Sequence, residues 1–208
     1  MVTKLKIALA QLNPLVGDVI GNTKKLIDVR SKLDKDIDIL VAPELYISGY
    51  PIDDLVLRED FLDLVEKEIN NLAKITTDNN SAIIVGAPRK DNGSIKNSVF
   101  VIEKGKIISV KDKHELPNTG VFDEQRIFEK GILENCVKIK GVNFGLPICE
   151  DIWKETVLKK LSKSGAEIIV AINASPFTMS KHDERNDIAL CRVKAVSYTH
   201  LRAHETRT

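Results

Sequence analysis

Three residues of this chain have side chains suited to cleaving an amide bond: Cys149, Glu44 and Lys113. Cys149 sits in Gly145-Leu-Pro-Ile-Cys-Glu-Asp-Ile-Trp153, with an apolar run before it and a helical pattern, Trp153 to Lys163, after it. A nucleophile at a sharp strand-to-helix turn projects clear of the sheet, close to the first free N–H groups of the helix. Such N–H groups favour a thiolate and hold an oxyanion. Glu44 follows Ile39-Leu-Val-Ala-Pro43. A carboxylate directly after a buried run is desolvated, which raises its proton affinity and suits a general base near neutral pH. Lys113 closes Ile107-Ile-Ser-Val-Lys-Asp-Lys113. A cation fixed there would stabilise both a thiolate and a tetrahedral oxyanion. Each residue taken singly has a plainer reading. A free cysteine is commonly a small core residue, a glutamate caps a helix or lies on the surface, and a lysine solvates a sheet edge.

The remaining reactive side chains fit catalysis less well. Cys136 begins a strand, and Cys191 lies mid-helix beside Leu190 and Val193, so both read as core. A Cys-His dyad is the weaker alternative. His114 directly follows Lys113, and strand alternation points neighbours to opposite faces. His182 lies in a polar loop, and His200 and His204 lie near the end of the chain. No His, Cys, Asp and Glu spacing suits zinc or iron, and no Walker-type glycine loop is present.

The elements that must position these residues alternate between strand and helix. Leu5 to Leu12 reads as a strand, and Asn22 to Leu33 as a helix with Asn22 as N-cap. Asp38 to Ala42 reads as a buried strand. Phe61 to Ile75 reads as an amphipathic helix, and Ala82 to Ala87 as a strand. Two hairpin-like pairs follow, Asn97–Glu103 with Lys106–Lys111, and Cys136–Lys140 with Val142–Ile148. Glu167 to Ala171 reads as a strand and Asp183 to Val196 as a last helix. The hairpins imply a mixed sheet rather than a plain doubly wound parallel one.

The chain's 208 residues suffice for one substantial core, with 43% hydrophobic and 29% charged residues. A net charge of +1 gives no reason to expect nucleic acid or a membrane surface as partner. Three cysteines without metal-ligand spacing fit a reducing, cytoplasmic setting. The opening residues are too interrupted for a signal peptide or a membrane span. Ser197 to Thr208 holds half of the chain's histidines and few apolar residues, and reads as a solvated or non-native tail after a domain ending near residue 196.

Glu44, Lys113 and Cys149, in order and local context, resemble the Glu-Lys-Cys triad of the nitrilase (carbon–nitrogen hydrolase) superfamily. Further stretches are similar to the glutamine-dependent NAD synthetases within it. These are Ile7-Ala-Leu-Ala-Gln-Leu-Asn-Pro-Leu-Val-Gly-Asp18, Pro43-Glu-Leu-Tyr-Ile-Ser-Gly-Tyr-Pro-Ile-Asp-Asp-Leu-Val-Leu-Arg58, the Lys113 to Phe128 stretch, and Asn173-Ala-Ser-Pro-Phe177. Glu-Leu with Gly-Tyr-Pro is shared widely, whereas Asp54-Leu-Val-Leu-Arg58 and Gly120-Val-Phe-Asp-Glu124 are more specific. The resemblance covers about residues 5 to 196. It implies a four-layer α-β-β-α sandwich lacking its C-terminal strands. It implies hydrolysis of L-glutamine to glutamate and ammonia, and a homo-oligomer at full length. The ammonia would feed a C-terminal synthetase domain, absent from this sequence, which uses ATP, Mg2+ and nicotinic acid adenine dinucleotide to make NAD. No cofactor is implied for the hydrolase part.

The same resemblance places Ser175 and Lys181 in contact with glutamine, with Tyr50, Phe122 and Glu150 as pocket walls. At Thr119 the family usually has tyrosine, which bears on substrate affinity. A stand-alone amidase on another small amide, and a non-catalytic module of the same fold, are the alternative readings. Without further strands, Ile168, Val170 and Ile172 are expected to lose cover, leaving the chain poorly stable and poorly active. A glutamine-mimicking electrophile is expected to label Cys149 and spare Cys136 and Cys191, as read by peptide mass spectrometry. Labelling mainly at either of the other two would reassign the nucleophile.

Overall fold

The computed structural model describes residues 4–78, 80–120, 122–175 and 187–191, together with the backbone of 199–204. One sheet has the order β1 (Ile7–Leu9), β2 (Ile39–Val41), β3 (Ala82–Asp91), β4 (Ser94–Glu103) and β5 (Lys106–Asp112). Its β1, β2 and β3 run parallel, and β3, β4 and β5 run antiparallel. The second sheet has the order β6 (Val137–Ile139), β7 (Val142–Gly145), β8 (Ile168–Asn173) and β9 (Thr199–His204). Helices α1 (Val19–Ser31) and α2 (Glu59–Ile75) accompany the first sheet, and α3 (Glu155–Lys163) the second.

The layering follows from strand alternation. Leu40, Ile83, Val85, Phe100 and Ile102 pack with Leu26 of α1 and Val65, Ile69 and Leu72 of α2. Their neighbours Ile39, Val41, Ala82, Ile84, Val99 and Val101 face the other way, onto Ile139, Phe144, Val170 and Ile172 of the second sheet. Ile169 and Ala171 turn outward onto Val157, Leu158 and Leu161. Strands buried on both faces read as continuous apolar runs, and here the period of two assigns each residue to one interface. The order is therefore helix, sheet, sheet, helix, as the resemblance implies.

Several boundaries differ from the sequence reading. The α1 N-cap is Asp18, whose carboxylate accepts from Gly21 N at 2.9 Å. Asn22 lies inside the helix instead, and its buried amide serves the loop, bonding Leu15 N, Leu15 O and Ile47 O. The strand expected over Ala82 to Ala87 runs on to Asp91 and turns into β4 through Asn92-Gly93. Both turn residues have positive φ (+47° and +85°), the conformation that a two-residue hairpin needs and Asn-Gly supplies. The helix expected over Asp183 to Val196 is described only at residues 187–191; the rest of it lies outside the described residues.

The end of the chain also differs. Residues 199–204, read from composition as part of a solvated or non-native tail, form β9, in parallel register with β8 from Ile168↔Thr199 to Asn173↔His204. The β8 edge expected to stand open is thus paired. Composition reports whether side chains are apolar, whereas a ladder is made by backbone groups that every residue except proline carries.

Gly86 shows how tightly the first sheet grips the Glu44 segment. Its N–H donates to Pro43 O at 3.1 Å, and its carbonyl accepts from Ile47 N at 3.2 Å. A Cβ there would collide with Leu45 N and lie 2.7 Å from both Glu44 Cα and Pro43 O. Backbone cannot rotate aside as a side chain can. Gly86→Ala is therefore expected to destabilise by about 1–3 kcal/mol, the scale of overpacking, measured by chemical denaturation. An unchanged unfolding midpoint would show that the Glu44 segment yields freely.

Candidate active site

The three candidate catalytic residues follow the C-terminal ends of β2, β5 and β7, and β8, parallel to β7, ends beside them. Glu44 lies three residues beyond β2, and Lys113 directly follows β5. Lys113 Nζ donates to Glu44 Oε1 at 2.7 Å and to Glu124 Oε1 at 2.8 Å. Glu44 Oε1 also accepts from Asn97 Nδ2 at 2.9 Å, and its Oε2 from Ala174 N at 3.0 Å. One carboxylate thereby joins β4 of the first sheet to the chain leaving β8 of the second.

All of these charges are withdrawn from water: Glu44 and Lys113 are 1% exposed and Glu124 3%. A buried ion requires partners that offset its lost hydration. Burial works against the Lys113 charge, but the carboxylate of Glu44, the neighbouring Cys149 and Glu124 together raise its pKa above the usual lysine range. Glu124 is pushed up to about 7, first by burial and then by the charge of Glu44, with Lys113 pulling the other way. At neutral pH the site thus holds one ammonium, and Glu124 stands near its midpoint.

Cys149 occupies a strained turn. Its φ is +46°, a conformation that non-glycine residues seldom adopt. Ile148 bridges to Ile172 of β8, and a 3-10 turn runs from Cys149 to Trp153. The helix expected from Trp153 begins at Glu155. Burial pushes the Cys149 thiol up to about 12, and Glu44 adds to this while Lys113 opposes it. The resting sulfur is a thiol rather than a thiolate. Its Sγ lies 3.4 Å from Ser175 Oγ.

The other residues singled out in the sequence fall into three groups. Tyr50 and Phe122 join the site: their rings are 6.2 Å apart at 46°, and the Tyr50 hydroxyl donates to Glu124 Oε1 at 3.2 Å. Glu150 is half-buried in the turn behind Cys149. Thr119 lies exposed in the loop beyond Lys113, and its carbonyl accepts from Phe122 N at 3.2 Å. Lys181 and His182 lie outside the described residues, and nothing is described of the His200 and His204 side chains.

Two further readings resolve here. His114 Nδ1 lies 2.7 Å from Gly131 O, so the ring has a backbone partner, and its backbone lies beyond the end of β5. Cys136 is half-buried with its Sγ donating to Ser164 O at 2.9 Å. Cys191, read as core, is exposed, as is Leu190 beside it. Apolar spacing locates a helix face but not whether anything covers it.

Sequence reasoning missed Glu124, Asn97 and Asp151 as site residues. Glu124 stands between polar neighbours in Phe122-Asp-Glu-Gln-Arg126, so nothing local marks it as buried. Its second oxygen, Oε2, is buried with no partner among the described residues. Among those residues no cluster of His, Cys, Asp and Glu could hold a metal ion, and no helix is long and apolar enough to cross a membrane.

An α-β-β-α sandwich with Glu, Lys and Cys gathered at the strand ends defines a hydrolase fold of the nitrilase type. The carbon–nitrogen hydrolase family model matches residues 6–191, and the chain belongs to that family. It is 37% identical to the glutamine-dependent NAD(+) synthetase of Aquifex aeolicus over 91% of this chain and 34% of the relative. It is 38% identical to that of Thermotoga maritima, over 88% of this chain and 32% of the relative. The chain thus spans about a third of the length of the curated relatives it matches.

Among solved structures, the glutamine-dependent NAD+ synthetase of Acinetobacter baumannii superposes with TM-score 0.91 at 32% identity, covering 97% of this chain and 38% of that one. An amidase from Nesterenkonia sp., in a mutant showing Michael addition of acrylamide at its active-site cysteine, shares the fold with TM-score 0.82 at 17% identity, covering 97% of this chain and 79% of that one.

The raised pKa of Glu124 has a stability consequence. A carboxyl group whose folded pKa exceeds its unfolded value of 4.5 stabilises the fold below pH 4.5, and that contribution is lost as pH rises through about 7. Glu124→Gln cannot ionise. Thermal melts of the wild type and Glu124→Gln across this window are expected to show a smaller fall for the variant as pH rises. Parallel curves would mean that Glu124 titrates alike in both states.

Proposed function

We propose that this chain hydrolyses the side-chain amide of L-glutamine, with Cys149 as nucleophile, Glu44 as general base and Lys113 as the electrostatic stabiliser. The observation that carries this reading is the buried Glu44–Lys113–Glu124 network acting on the Cys149 thiol. A thiol that burial keeps protonated needs a base at the moment of attack, and in this reading Glu44, bonded to the Lys113 ammonium, is that base.

In the first step Glu44 takes the Sγ proton as sulfur bonds to the amide carbon, and the carbonyl oxygen becomes an oxyanion. The Lys113 ammonium stabilises the developing charge without reorganising, because its own bonds already fix it. The proton on Glu44 then passes to the leaving nitrogen, the C–N bond breaks, and ammonia departs from a γ-glutamyl thioester. Water, deprotonated by Glu44, attacks that thioester and releases glutamate and the thiol. Ser175, 3.4 Å from the sulfur, and Lys181 bind the amino-acid head group in this reading. Tyr50 and Phe122 form an aromatic pair beside Glu124, and in this reading they line the glutamine pocket together with Glu150 and Thr119.

The substrate assignment rests on the relatives, which are named as glutamine-dependent NAD+ synthetases. In the same reading the ammonia serves a synthetase domain of the kind that makes up the rest of those relatives. ATP and Mg2+ belong to that domain. Lys113→Met, which keeps side-chain volume and removes the charge, is expected to lower glutamine turnover by at least about 10²-fold, the scale for one oxyanion-stabilising group. Ammonia release measured on a variant with a cooperative melt checks this. Near-normal turnover would return Lys113 to a structural role.

A further inference from the structure

Asp151 lies two residues beyond the nucleophile, is 3% exposed, and takes no direct part in the chemistry above. Among the described residues its carboxylate accepts backbone N–H groups from two separate parts of the chain. Oδ1 accepts from His114 N at 3.1 Å and Glu115 N at 2.7 Å, the two residues that directly follow Lys113. Oδ2 accepts from Ile148 N at 2.9 Å, the residue that directly precedes Cys149. One rigid side chain therefore ties the strand end carrying the ammonium to the turn carrying the thiol, across 37 residues of sequence.

This arrangement differs from ordinary capping. A cap joins groups within one turn, whereas Asp151 caps its own turn through Ile148 and holds a distant segment at the same time. The Cys149 turn is strained at φ +46° and needs neighbours that hold it there. The Lys113 segment is otherwise anchored by Lys113 N to Asn97 O at 2.8 Å and by Gly131 N to Lys113 O at 2.8 Å. Those two bonds fix Lys113 to its own sheet and to the following loop, but neither joins it to the Cys149 turn.

We propose that Asp151 is a positioning residue that sets the distance between the Lys113 ammonium and the Cys149 thiol. The proposal rests on the functional reading above, in which Lys113 assists Cys149. Burial pushes the Asp151 carboxyl up to about 6, while the N–H groups of Ile148 and Glu115, the charge of Lys113 and the N–H of His114 favour its ionised form. An ionised carboxylate offers acceptors on both oxygens. Asparagine offers one acceptor oxygen and turns an NH2 group toward an N–H donor, so Asp151→Asn must release one of the two segments.

The test uses the 208-residue chain and iodoacetamide, which needs no glutamine site, with alkylation of Cys149 followed by peptide mass spectrometry from pH 6 to 10. The wild type and Asp151→Asn are compared, alongside thermal melts. Asp151→Asn is expected to melt cooperatively, to alkylate at Cys149 at least about 10-fold more slowly at neutral pH, and to shift its alkylation profile to higher pH. The Cys191 rate should not change and serves as the internal reference. A Cys149 profile that superposes on the wild type in a folded variant overturns the proposal.

Should Asp151→Asn fail to melt cooperatively, Asp151→Glu decides. It keeps both acceptor oxygens but moves them by one methylene, so a folded Asp151→Glu with slowed alkylation supports the proposal, and wild-type alkylation overturns it. Loss of the cooperative melt in both variants also overturns it, because Asp151 is then required for folding alone. If Lys113→Met alkylates at Cys149 as the wild type does, the functional reading in which Lys113 assists Cys149 fails instead, which separates the two failures.

Discussion

Much of this structure depends on one constraint, the burial of the Lys113 ammonium between two carboxylates. An ammonium removed from water is tolerated only when well-placed partners offset its lost hydration. Glu44 and Glu124 supply them at 2.7 and 2.8 Å. Burial, and then the charge of Glu44, push the Glu124 carboxyl up to about 7 against the pull of Lys113. The outcome is a fixed positive charge in a dry site, where electrostatic interactions are stronger than in water.

The sandwich serves that constraint. Each partner comes from a different element: Glu44 after β2, Asn97 on β4, Lys113 after β5, Glu124 in the loop beyond, and Ala174 after β8. Close packing between the sheets, through Val99, Val101, Phe144 and Ile172, keeps these ends in register without any of them lying in a flexible arm. Gly86 brings β3 against the Pro43 to Leu45 backbone, a closeness that no larger residue permits. Rigid strand ends of this kind hold catalytic groups more accurately than loops do.

The thiol sits in tension with this design. Burial and Glu44 favour the neutral thiol, and Lys113 and the Ser175 hydroxyl favour the anion. The bridge from Ile148 to Ile172 and the Asp151 carboxylate hold the strained turn at Cys149 in place.

The amino-acid sequence by itself determined the identities of Glu44, Lys113 and Cys149 as candidates. Each follows an apolar run, and a polar group there is legible as a strand end from local pattern alone. It also determined the helix over Phe61 to Ile75 and the hairpins about Gly105 and Gly141, because these rest on periodicity and turn chemistry within a few residues. Only the tertiary structure decided what those residues meet. Glu124 and Asn97 are polar residues whose burial is created by elements far away in sequence, and Asp151 looks like an ordinary acidic residue until His114 and Glu115 are brought to it. The same reason explains β9, whose backbone pairing with β8 leaves no trace in side-chain composition. Long-range hydrogen bonds are set by which segments converge, and convergence is a property of the packed chain rather than of any stretch of it.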